Sequence, residues 1–204
     1  MKAVFFDFDG VLTTDKTGST SICNYISRKI GMEYGVFAPV YRQYNERLLC
    51  GRLTHRDIWG DICRELQKDV PYEILFESFI HTPIDNEIVK LIERLKSAGL
   101  KTGLITDNKR DRIDVVISHY NWHSLFDAIV ISSDVGSGKE QPEIFNIACN
   151  KAAVPPNECV FIDNSAKNLV IPEAMGMSAF LYDDAFRNTS RLIEHLQSLG
   201  ICCS

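Results

Sequence analysis

"VFFDFDGVL", residues 4–12, is an apolar run of strand length that ends on two carboxylates one residue apart, followed by a glycine and a second apolar pair. Val4, Phe5 and Phe6 give the continuous β-favouring pattern of a strand buried on both faces. An ionised carboxylate is costly in such surroundings unless it is paired or bound to a cation. Asp7 and Asp9 therefore mark a place where burial gives way to chemistry.

Working outward, "KAVFFD" (2–7) is joined by four more strand-like runs: "KTGLIT" (101–106), "DAIVIS" (127–132), "CVFID" (159–163) and "MSAFLY" (177–182). Helical patterns separate them. Residues 85–99 place Ile88, Leu91, Ile92 and Leu95 at helical spacing and stop at Gly99, and 109–121, 141–153, 165–176 and 189–199 follow. Strands alternating with helices predict an α/β fold, a parallel sheet covered by helices on both faces. Residues 13–84 hold no strand pattern. They read as helices near 20–30, 36–49, 55–67 and 71–79, punctuated by Gly31, Gly35, Gly51 and Pro71. The expected organisation is a core of 1–16 and 82–204 with a helical insertion over 17–81, the two meeting near 13–18 and 80–85.

The 204 residues, 45% apolar, suffice for one main core. With 22 basic against 27 acidic residues, net −5, and no block of like charge, no nucleic acid partner is expected. Seven scattered cysteines without a CxxC pair read as reduced thiols in a cytoplasmic protein, with "CC" at 202–203 in a frayed tail. The apolar N-terminus is interrupted by Asp7 and Asp9, which argues against a signal peptide, and no apolar stretch reaches membrane-spanning length. Oligomeric state is not legible.

Ligands of open α/β sheets collect beyond the carboxyl ends of the strands. Asp7-Phe8-Asp9-Gly10, Thr106-Asp107-Asn108 and Asp163-Asn164 end three of the runs, and Lys139 follows another. Asp7 and Asp163 suit a hard divalent cation, for which Mg²⁺ is the candidate. Beside such a cation Asp7 can attack phosphorus, Asp9 can serve as acid and base, and Lys139 and Thr106 can hold phosphoryl oxygens. Singly, each has a plainer reading: the aspartates and Thr106 as turn or cap residues, Lys139 as a solvated loop lysine. The ordered recurrence of all of them after separate strands favours a site.

"DFDGVL", "LITDN", "GKEQPEIF" and "VFIDNSAKNL" followed by "AMGM" together resemble the haloacid dehalogenase superfamily, subfamily I, whose members carry a helical cap after the first motif. The resemblance implies a Rossmann-like sheet of order 5-4-1-2-3 with a small helical-bundle cap. It also implies a Mg²⁺-dependent phosphatase acting on a small phosphorylated metabolite through an aspartyl-phosphate. Asp7 is then the nucleophile and Asp9 the acid/base. Thr106, Asp107, Asn108 and Lys139 fall at the phosphate, and Asp7, Asp9, Asp163 and Asn164 at the metal.

Three positions depart from the family pattern. Asn164 stands where a second acid is common, Asp107 intervenes between Thr106 and Asn108, and Glu140 replaces the usual proline after Lys139. An acid at position 9 argues for phosphoryl transfer over attack on carbon. A phosphomutase and a non-catalytic binding protein of this fold are the alternatives. Tyr41, Tyr44, Arg47, His55 and Trp59 read as the interior and solvated face of the helical insertion, and "KRDR" (109–112) as a solvated helix start.

Overall fold

The computed structural model describes residues 1–202. Five short strands, β1 (Ala3–Phe6), β2 (Lys101–Thr106), β3 (Ala128–Ile131), β4 (Cys159–Asp163) and β5 (Ser178–Leu181), form one parallel sheet of order β3-β2-β1-β4-β5. This is the expected order, read from the other edge. β1 lies at the centre, and its alternating side chains supply both layers. Val4 and Phe6 join Leu104, Val160 and Ile162 in one core cluster. Ala3 and Phe5 join Ile105, Val130 and Phe161 in the other.

Helices cover each face. On the Val4 side lie α6 (Asn86–Ser97), α7 (Arg110–His119) and α11 (Thr189–Ser198), and on the Phe5 side α9 (Pro142–Ala152). α6 shows why the chain folds this way. Asp85 accepts the free N–H groups of Glu87 and Ile88, and Ile88, Leu91, Ile92 and Leu95 form one buried stripe. Gly99, with φ +87°, ends it.

The helical segment between β1 and α6 consists of α1 (Gly18–Ile30), α2 (Tyr34–Arg42), α3 (Asn45–Leu49), α4 (His55–Glu65) and α5 (Glu73–Ile80). Its two connections to the sheet run side by side: Thr13 and Ile84 pair as an isolated antiparallel bridge, flanked by Thr14 N–H to Pro83 O (2.9 Å) and Asp85 N–H to Leu12 O (2.8 Å). The helix expected over 36–49 is two helices, α2 and α3, separated at residues 43–44. The helix expected over 165–176 is a 3-10 turn, Ala166–Asn168, and a short α10 (Val170–Ala174). Asn168 turns its side chain to Asp163 instead of facing outward, and Pro172 has no N–H to give. A short helix, α8 (Ser132–Val135), follows β3 directly.

Cys149 and Cys159 carry free thiols 4.0 Å apart. Cys203 lies outside the described residues, of which no helix is long and apolar enough to cross a membrane.

Candidate active site

Register sets the site. Phe6 pairs with Leu104 on one side and Ile162 on the other, so Asp7 and Asp163 emerge level with one another while β2 runs two residues past Leu104 to Thr106. After Asp7 the chain makes a wide turn. Thr13 N–H donates to Phe8 O at 3.0 Å, and Gly10, at φ +82°, supplies a conformation that other residues rarely adopt. A Cβ at Gly10 would also stand 2.2 Å from the Asn164 amide. Arg187, far along the chain, ties this turn down by donating to the carbonyls of Gly10 (3.1 Å) and Val11 (2.8 Å) while pairing with Asp85.

Asp7, Asp9, Thr106, Asp107, Lys139 and Asn164 line one cleft of about 410 Å³. Lys139 Nζ donates to Asp7 Oδ1 and Asp163 Oδ2, each at 2.7 Å, and is buried with both. Asp163 also accepts Ser165 N–H (2.8 Å) and the Asn168 amide (3.1 Å to each oxygen). Burial pushes the Asp7 carboxyl up, Lys139 partly counters this, and Asp163 adds to it, leaving Asp7 at about 7. Burial alone would lower Lys139, but the charges of Asp7, Asp163 and Asp107 hold it well above the usual lysine range.

The unusual Asp107 has a structural task. Its Oδ1 accepts Lys139 N–H at 3.0 Å, so it anchors the loop that aims the lysine, where a proline is absent. Burial raises its carboxyl. Asn164 donates its amide to Asp184 at 2.9 Å, bringing the charge of an acid from the loop after β5 against the position where a second acid was missed.

Asp9 is held differently. Arg112 grips it two-pronged, Nη1 to Oδ2 at 2.7 Å and Nη2 to Oδ1 at 2.8 Å, and Asn108 Nδ2 donates to Oδ2 at 2.8 Å. Burial would raise the Asp9 carboxyl, but Arg112 outweighs it and keeps Asp9 below the usual carboxylate range. Asn108 is buried beneath the cleft and uses its amide on Asp9 and on the Thr106 hydroxyl (3.3 Å).

The "KRDR" run is not a solvated helix start. Lys109 and Arg112 are buried, Asp111 is half-buried against His55, and only Arg110 turns outward, to Asp114 and Asp134. Arg112, in the first turn of α7, also donates to Asn108 Oδ1 at 3.1 Å, just ahead of that helix. Gly18 makes room for the Arg112–Asp9 pair, since a Cβ there would lie 2.1 Å from Arg112 Nη1 and 2.9 Å from Asp9 Oδ2.

The helical segment contributes Lys16, Thr17, Gly18, Ser19, Asn45 and Leu49 to the cleft. Tyr41, Tyr44, Arg47, His55 and Trp59 do not line it. Trp59 donates to Val70 O (2.8 Å), and His55 is buried between the Tyr41 hydroxyl (2.8 Å) and Asp111 (2.7 Å).

The donor set suits a hard divalent cation. Two buried carboxylates, Asp7 and Asp163, stand level, with backbone and carboxamide oxygens of Asp9 and Asn164 nearby in sequence. Three acids act on one ammonium, and burial, with the charge of Asp163, holds the Asp7 carboxyl at about 7. No cluster of three or more His, Cys, Asp or Glu among the described residues is arranged to hold a metal ion. Mg²⁺ needs only one or two carboxylates when substrate phosphate and water complete its shell.

Residues 1–176 match the haloacid dehalogenase-like hydrolase family. The chain belongs to that family. Among its relatives, the bifunctional epoxide hydrolase 2 of Rattus norvegicus is 24% identical over 205 residues, covering 90% of this chain but 37% of the rat protein. The chain spans a still smaller share, 23%, of the corresponding Mus musculus protein. The validoxylamine A 7'-phosphate phosphatase of Streptomyces hygroscopicus subsp. limoneus is 21% identical over 179 residues, 86% of this chain and 83% of that one.

Two solved structures share the fold. A HAD-like hydrolase from Porphyromonas gingivalis has a TM-score of 0.71 at 19% identity, covering 97% of this chain and 98% of its own. A HAD family enzyme from Bacteroides thetaiotaomicron, an aspartate-to-alanine variant in complex with magnesium and inorganic phosphate, has a TM-score of 0.71 at 19% identity, covering 94% and 98%.

Proposed function

We propose that this hydrolase is a Mg²⁺-dependent phosphatase that cleaves a small phosphorylated metabolite through an aspartyl-phosphate on Asp7. The observation that carries this reading is the convergence of Asp7, Asp163 and Lys139 at 2.7 Å contacts, with Asp9 in the same cleft.

Asp7, Asp163, the Asp9 carbonyl and Asn164 would hold Mg²⁺, which when bound offsets the repulsion between a carboxylate and a phosphate. The Lys139 ammonium and the Thr106 hydroxyl hold the phosphoryl oxygens against the nucleophile, a role in which charge fixed in advance lowers the barrier. Asp7 then attacks phosphorus, forming an O–P bond as the bond from phosphorus to the leaving oxygen breaks. Held ionised by Arg112, Asp9 is poised for the second half of the cycle, in which it takes a proton from the water that attacks the aspartyl-phosphate. In the first half an alkyl leaving oxygen takes its proton from Asp9, which must bind one from solvent as the Arg112 grip loosens, whereas a stable oxyanion departs without it. Residues 17–81 act as a cap that closes over the cleft on the paired linkers at Thr13 and Ile84, keeping bulk solvent out while the reacting water is held in the cleft.

The test is phosphate release from a panel of small phosphate esters, with and without Mg²⁺, by wild type and by Asp7→Asn. Metal-dependent release lost in the variant supports the reading. Release that survives in Asp7→Asn, or none from any ester, refutes it.

A further inference from the structure

Three cations are buried around the cleft, and two have acids. Arg112 has Asp9, and Lys139 has Asp7 and Asp163. Lys109 has none among the described residues. Its Nζ donates to Asn45 Oδ1 at 2.7 Å and approaches Ser19 Oγ at 3.4 Å, with the Tyr41 ring centroid 6.0 Å away. The residue is 5% exposed. An ammonium removed from water with only neutral partners is destabilising. Burial, and then the like charge of Arg112, push it down to about 8, with the charges of Asp9 and Asp111, neither within ion-pair distance, pulling the other way.

These groups come from three places in the chain and meet on one wall. Ser19 is on α1, Asn45 opens α3, and Lys109 precedes α7, yet all three line the cleft with Asp7 and Asp9. Both chain neighbours of this group abut Asp9: Asn108, next to Lys109, donates to Asp9 Oδ2 at 2.8 Å, and Gly18, next to Ser19, lies so close that a Cβ there would stand 2.9 Å from the same oxygen. The group therefore stands on the side of the acid/base, where the alcohol part of an ester departs. Lys16 and Lys167 add positive charge to the same cleft.

We infer that Lys109, with Ser19 and Asn45, binds a second anionic group on the alcohol part of the substrate, so that the substrate is a phosphate ester that also carries a carboxylate or a second phosphate. The inference rests on the phosphatase reading and adds the substrate class. Ser19 Oγ and Lys109 Nζ both donate to Asn45 Oδ1, at 3.0 and 2.7 Å, so the donors left for an anion are the ammonium and the Asn45 amide nitrogen, and the anion's charge supplies the ion pair that Lys109 lacks.

The experiment compares kcat/KM within matched pairs: phosphoglycerate against glycerol phosphate for a carboxylate, and propanediol bisphosphate against propanediol monophosphate for a second phosphate. Wild type is expected to prefer the doubly anionic member of one pair by about tenfold or more, the usual scale of a charge-assisted contact. The ratio falls toward one in Lys109→Met, through KM, and partway in Asn45→Ala, which keeps the lysine. A ratio near one in wild type, or one unchanged in Lys109→Met, overturns the inference and leaves the phosphatase reading standing. If wild type releases phosphate from no ester, the phosphatase reading fails on its own. Calorimetry of phosphoglycerate and propanediol bisphosphate then decides for Lys109: binding weakened about tenfold by Lys109→Met upholds the anion site, and equal or absent binding overturns it.

Discussion

Replacing Arg112 with methionine isolates what the Asp9 pair contributes. Arg112 is fully buried, and it holds both oxygens of a carboxylate whose side chain is only 13% exposed. Removing one partner of a buried pair strands the other charge, at about 3–5 kcal/mol. Asn108 still donates to Asp9 at 2.8 Å and some solvent reaches the carboxylate, so the lower end, about 3 kcal/mol, applies. For a chain of this size that lowers Tm by about 6–12 °C. The double variant Asp9→Asn/Arg112→Met removes the stranded charge and is expected to recover more than half of the loss while remaining inactive. Thermal and urea unfolding of the four proteins in chelator closes the cycle. An Arg112→Met protein within about 1 kcal/mol of wild type, or a double variant less stable than the single one, would refute the reasoning.

Other consequences follow from the same geometry. In metal-free protein, Asp7, at about 7 against an ordinary 3.8, binds its proton more tightly folded than unfolded, so its contribution is full below about pH 4 and is lost as pH rises through 7. Asp7→Asn should therefore be more stable than wild type at pH 8 by up to about 4 kcal/mol, with the gap closing at pH 4 in melts with chelator; no gap at pH 8 contradicts this. Because Asp9 is held ionised, esters with aryl leaving groups should turn over faster than alkyl esters, and a rate series across leaving-group pKa that comes out flat would count against the Arg112 constraint. Asp107→Ala frees the Lys139 loop and should lower kcat about tenfold or more with a smaller change in KM; steady-state kinetics equal to wild type would show that Asp107 does not position Lys139.

The sheet was legible because β1, β2 and β4 are buried on both faces, and continuous runs such as Val4–Phe6 admit few other readings. Their ends carried Asp7, Asp9, Thr106 and Asp163 for the same reason, since strand ends are local features, and Lys139 was found in the loop past β3 and α8. What escaped depends on contacts across the chain. Arg112 and Asp9 are 103 residues apart, and Lys109 and Asn45 are 64 apart. Nothing local separates a solvated "KRDR" from one whose first and last members are drawn inward by an acid and an amide far away. Likewise Asn168 leaves the expected helix 165–176 because Asp163, fixed by the sheet, takes its side chain.

The central claim is that Asp7 itself carries the phosphoryl group. Turnover with a radiolabelled phosphate ester and Mg²⁺, quenched in acid and followed by peptide mapping, tests it directly. The account predicts label on the peptide "AVFFDFDGVL", confined to Asp7 and absent from Asp7→Asn. Phosphate release without any labelled enzyme, or label on another residue, would contradict it.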